Sequence, residues 1–65
     1  MSMNRYWARY IDREGTLSSV DEFMCEDHTL ALIKAKTNEG FGVILEKMYL
    51  TSVHPIEIIY EAHKR

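Results

Sequence analysis

A lone cysteine, Cys25, in a chain of 65 residues leaves the fold without an internal disulfide. Domains of this size bury a smaller share of their surface than larger ones, so many lean on disulfides, metals or partners. This chain must therefore be held by one apolar core, by a metal, or by association with another protein. The missing cysteine framework also argues against a stapled secreted module and for a reducing compartment. The expectation is a cytoplasmic protein. Hydrophobic residues make up 46% of the chain and charged residues 28%. That balance fits one folded domain over residues 1–65, not a disordered tail.

The segment Met1 to Arg13 has no continuous apolar stretch of the signal-peptide kind. Strictly apolar runs such as Val43–Leu45 and Ile58–Tyr60 are short, far below the roughly 20 residues that a membrane-spanning helix needs. The formal net charge is −2. Dedicated nucleic-acid binders usually carry a basic excess, because neutralising phosphates supplies much of their affinity. The charge balance thus disfavours nucleic acid as partner, although a local basic face remains compatible with it.

Residues Arg5 to Ile11 are rich in aromatic and β-branched types and end at the turn Asp12–Gly15, which reads as a strand. Tyr6, Ala8 and Tyr10 line one of its faces; Trp7, Arg9 and Ile11 line the other. In Thr16–Glu26, Ser18, Val20, Glu22 and Met24 alternate with Leu17, Ser19, Asp21, Phe23 and Cys25. A second strand, closing a hairpin, is the preferred reading. A helix capped at Ser19, with Glu22 completing a capping box, is the rival. His28–Asn38 is the clearest helix, capped by Asp27 or Thr29. Two stripes run along it: Ala31, Leu32 and Ala35, and Leu30, Ile33 and Thr37.

Gly40 and Gly42 follow, each worth about 1 kcal/mol against helix. They favour a break and a strand over Val43–Leu50. Yet Phe41, Ile44 and Met48 continue the Leu30 stripe, so one long helix over 28–50 is the alternative. Thr51–Pro55 reads as a turn, since Pro55 lacks an N–H and disfavours helix at His54. Ile56, Ile58 and Tyr60 then alternate with Glu57, Ile59 and Glu61 as a last strand, and residues 62–65 read as a frayed end. The expected fold is a small two-layer α+β domain. Its antiparallel sheet of three to four strands packs on one helix, in the order β-β-α-β-β, or β-β-α-β if the helix is long.

Cys25 and His28 have a C-x-x-H spacing, with His54 and His63 further on. The second close pair that a zinc site normally needs is missing, and no metal or other cofactor is expected. Glu26 and Asp27 beside Cys25 oppose thiolate formation, which weakens a cysteine nucleophile. The Gly40–Gly42 stretch lacks the spacing and the lysine of a phosphate loop. The carboxylates look like a solvated surface, with Asp21–Asp27 forming an acidic patch. No enzyme is expected.

The interleaved set Arg5, Tyr6, Trp7, Arg9, Tyr10 and Arg13 is the most suggestive. Such residues stack on nucleobases, and the same types dominate protein–protein hot spots. They also suit a plain strand with one face in the core and arginine stems lying over the other.

The segment Arg5-Tyr-Trp-Ala, a hairpin, Ala31 and Leu32 with Ala35 on a helix, and a final strand together resemble small phage-encoded inhibitors of host enzymes. Inhibitors of bacterial RNA polymerase are an example. The resemblance covers element order and a few residues, without a specific motif. Those inhibitors carry arginines on the last strand and acids on the helix. Here the last strand carries Glu57 and Glu61 and the helix carries Lys34 and Lys36. A polymerase target is therefore not implied, and no functional residue is carried over.

The expected function is a small protein-binding module, an inhibitor or regulator of a larger protein that acts by occlusion. Tyr6, Trp7, Arg9 and Tyr10 are the expected anchors. Asp21, Glu22, Glu26 and Asp27 would steer toward a basic surface. A nucleic-acid-associated regulator using the same strand is the alternative. A homodimer that buries its exposed sheet face against itself is the third reading.

Overall fold

The computed structural model describes residues 2–64. The elements are β1 (Asn4–Ile11), β2 (Leu17–Cys25), α1 (His28–Thr37), β3 (Gly42–Met48) and β4 (Pro55–His63). They form one antiparallel sheet in the order β2-β1-β3-β4 with a single helix, the β-β-α-β-β arrangement. Both β2 and β3 run antiparallel to β1 and flank it. The two therefore run parallel to each other, and α1 is the crossover that carries the chain past β1.

Asp12 organises the first hairpin. Its carboxylate accepts from the amides of Glu14 (3.0 Å) and Thr16 (2.9 Å). Residues 17–25 form a strand, so the capping-box helix at Ser19 is not formed. The helix begins at Asp27, whose Oδ1 accepts from the Leu30 amide at 2.9 Å, satisfying one of the free donors of the first turn. Its end explains why the long-helix alternative fails. Gly40 adopts φ +59, which costs any residue with a Cβ. A Cβ on Gly42 would lie 2.7 Å from the Ala62 carbonyl oxygen on β4. Residue 40 reverses the chain, and residue 42 lets β3 approach β4.

The helix lies on the sheet through Ala31 and Ala35, both fully buried, while Leu30 and Ile33 stay exposed. Small residues let the helix sit close. Beneath it lie Tyr6, Ala8, Phe23, Val43 and Leu45, with Tyr10, Leu32, Ile59 and Tyr60 packed at the margin. Lys34 and Lys36 cap two aromatic edges of this core: their ammonium groups sit 4.4 Å from the Phe23 ring centroid and 5.1 Å from that of Tyr60.

β4 departs from the simple alternation. Leu45 pairs with Tyr60, but Glu46 pairs with Ile58, and Met48 with Pro55. The extra residues, Ile59 and Ile56, are β-bulges, and a bulge changes which residues share a face. Tyr60 therefore faces the helix, while Ile58 faces the opposite side. Residues 62–64 are also more ordered than a frayed end. β4 runs to His63, and the Lys64 amide donates to the Phe41 carbonyl at 2.7 Å. Arg65 and Met1 lie outside the described residues.

Glu39 ties this C-terminal end to the turn after the helix. The Tyr60 hydroxyl donates to its Oε1 at 2.6 Å, and Lys64 Nζ lies 2.9 Å from its Oε2. The Tyr60 hydrogen bond, then Lys64, hold the Glu39 carboxyl below the usual glutamate range, and the same bond pushes the Tyr60 hydroxyl up. A carboxyl lowered on folding stabilises fully above its unfolded pKa, and that contribution is lost as pH falls through the folded value. Melts from neutral pH into acid should show a smaller loss of Tm for Glu39→Gln than for the wild type. Equal losses would mean that the cluster is open in solution.

Candidate functional site

Among the described residues, the sheet has one face under the helix and one face that no element covers. Register sets what the open face presents, because residues directly opposite in neighbouring strands share a side. Its middle row, from β2 to β4, reads Glu22, Trp7, Glu46, Ile58. The rows on either side read Val20, Arg9, Ile44, Glu61 and Met24, Arg5, Met48, Pro55. The face is thus an apolar ground of Val20, Met24, Trp7, Ile44 and Ile58, set with two arginines and their carboxylates.

The charges are arranged in pairs. Arg5 Nη2 donates to Glu22 Oε1 at 2.7 Å, and the indole N–H of Trp7 donates to the same oxygen at 2.8 Å. The Arg5 guanidinium also lies 5.5 Å from the Trp7 ring centroid and donates to the carbonyls of Tyr49 and Ser52. The Arg5 hydrogen bond, then that of Trp7, hold the Glu22 carboxyl below its usual range. The second pair is Arg9 with Glu46, Nε to Oε1 at 2.8 Å. Here the N–H does not point along that line, so the contact is an ion pair without an aligned hydrogen bond. Glu46 is only 6% exposed. Its cross-strand neighbours Trp7 and Ile58 flank it on a face that no other element covers.

One end of the face opens into a groove of about 510 Å³ beside the β3–β4 turn, with Met3, Arg5, Met48, Tyr49, Leu50 and Ile56 among its lining residues. Arg5 and Met48 belong both to the groove and to the open face. Tyr49, Leu50 and Val53 leave much of their apolar surface in water.

The expected site residues divide among three places. Trp7, Arg9 and Glu22 come together on the open face. Tyr6 and Tyr10 are on the helix side. Tyr6 is fully buried, stacked on Phe23 at 5.8 Å between centroids, so it is a core residue and not a docking anchor. Burial pushes both tyrosine hydroxyls up. Asp21 shares that side, opposite Ala8. Glu26 and Asp27 sit in the β2–α1 turn, where Asp27 is spent on capping. The acidic segment is thus no single patch, because Asp21 and Glu22 point to opposite faces of β2. Val20, Ile44, Glu46 and Ile58 join the site unexpectedly.

Cys25 is a half-buried free thiol. His28 contacts the Tyr6 hydroxyl through Nδ1 at 2.7 Å, and its Nε2 lies 3.6 Å from Glu57. Among the described residues, no three His, Cys, Asp or Glu side chains are grouped to hold a metal ion. No helix among them is long and apolar enough to cross a membrane. No family model, curated protein or solved structure matches the chain.

Proposed function

We propose that this chain is a non-enzymatic protein-binding module that docks through the open face of its sheet, with Trp7 as the central anchor. It acts on a larger protein as a small inhibitor or regulator by covering a functional surface. The observation that carries this reading is the held position of Trp7. Its N–H is bonded to Glu22, Arg5 lies within cation–π range of its ring, and it occupies the middle row of an uncovered, largely apolar face. An aromatic anchor already fixed in place loses little conformational freedom on binding. The paired charges around it leave no unmatched ion to be buried there.

The nucleic-acid alternative draws less support from the same geometry. Arg5 is engaged by Glu22 and two carbonyls, and Arg9 is paired with Glu46. Guanidinium groups held in this way are poorly placed to neutralise phosphates.

The test is capture of the tagged protein's partner from nuclease-treated lysate of its host at high salt, set against Trp7→Ala and Ile58→Glu. Ile58 is 56% exposed, so its substitution spares the core. One protein recovered in stoichiometric amount by the wild type, and at least about ten-fold less by both folded variants, is the expected result. Recovery indifferent to both variants, or recovery of nucleic acid alone at low salt, overturns the reading.

A further inference from the structure

We infer that, in the free protein, the open face is occupied by a second copy of this chain, so that two sheets close face to face and the partner must displace one copy to dock. This rests on the reading of that face as a protein-binding surface. Three observations support it.

The first is coverage. An α-helix of ten residues is about 15 Å long, while the molecule is 38 Å in its longest dimension and 15 Å in its thinnest. A stable domain normally covers the apolar side of each layer. Here the helix covers one side only, and Val20, Met24, Ile56 and Ile58 remain about half exposed along the outer strands.

The second is self-complementarity. Across a two-fold axis the same patch meets itself, so any unmatched charge near the centre would face its own copy. Arg5 and Arg9 are each matched within the face, by Glu22 and Glu46. The remaining acid of the three rows, Glu61, lies on the edge strand β4 and is exposed. A centre whose charges cancel internally suits a copy of itself better than it suits a strongly charged partner.

The third is area. Four strands of seven to nine residues, at about 4.8 Å between strands and about 3.3 Å per residue, make a face of about 500 Å². Two such faces bury about 1,000 Å² together, the lower bound for a specific interface. An interface at that bound belongs with weak, transient contacts. That weakness is what lets a partner compete for the face.

Sedimentation equilibrium from micromolar to millimolar concentration tests this directly. The wild type should pass from monomer to dimer across that range. Trp7→Ala and Ile58→Glu, checked for wild-type circular dichroism, should each weaken association at least about ten-fold. Val53→Glu, in the β3–β4 turn and off the face, should leave it unchanged. A wild type that stays monomeric throughout overturns the self-association. In that case, capture that still depends on Trp7 and Ile58 keeps the protein-binding reading standing. A dimer indifferent to Trp7→Ala and Ile58→Glu, or one abolished by Val53→Glu, overturns the inference by placing the contact elsewhere.

Discussion

Tyr6→Ala is expected to cost about 3–5 kcal/mol, the usual range for deleting a buried aromatic ring. A chain of this length has a total stability of only about 3–10 kcal/mol, so the variant should lose most or all of its cooperative unfolding transition. The reason is position. Tyr6 is fully buried on β1, next to the middle of the sheet, stacked on Phe23 and edge-on to the His28 ring at 5.7 Å. It joins β1, β2 and the start of α1 at once. Its hydroxyl adds a smaller contribution. The Asn4 side-chain amide donates to the oxygen at 3.4 Å, and the hydroxyl shares a hydrogen bond with His28 Nδ1 at 2.7 Å. Tyr6→Phe removes only those bonds, at a cost of about 1 kcal/mol, or about 5 °C in Tm. Urea titration followed by circular dichroism separates the two variants. A Tyr6→Ala protein with a midpoint close to that of the wild type would mean that the core is not built around this ring.

Tyr6 and Trp7 also show where the sequence is legible and where it stops. Their alternation places them on opposite faces of β1, and that much follows from the period of two along a strand. Which face is covered does not follow, because both carry aromatic and aliphatic side chains. Ala31 and Ala35 decide it: the helix stripe that can approach a sheet closely lands over Tyr6 and Ala8, and leaves Leu30 and Ile33 in water. The break between α1 and β3 was readable because Gly40 and Gly42 have local causes, a backbone reversal and a close approach. The face around Trp7 was not, because it is assembled by register between strands distant in the chain. Glu46 looks like any solvated acid until it is set between Trp7 and Ile58. Ile58 faces that row only because a bulge at Ile59 interrupts the alternation of β4, and bulges leave little trace in a short apolar run.

Arg9 and Glu46 then carry the second large effect. Arg9→Met leaves the carboxylate of Glu46, whose side chain is 8% exposed, without its counter-ion. Breaking a buried pair from one side costs about 3–5 kcal/mol. The Arg9 side chain is 37% exposed, so water offsets part of this, and about 2 kcal/mol is expected. Replacing both residues, as Arg9→Met with Glu46→Leu, should restore most of the loss. The apolar pair fills the same middle of the sheet without an ion to desolvate. Denaturant melts of the wild type, the two single variants and the double variant close a double-mutant cycle, and a coupling energy of about 1 kcal/mol or more is the expected result. The same set bears on binding. If the pair serves mainly to keep the face neutral, the double variant keeps or strengthens self-association while Arg9→Met alone weakens it, because only the latter asks a lone carboxylate to be buried between two sheets. An Arg9→Met protein as stable as the wild type, and associating as well, would mean that Glu46 already reaches water in solution. The open face would then be too wet at its centre to close against another sheet.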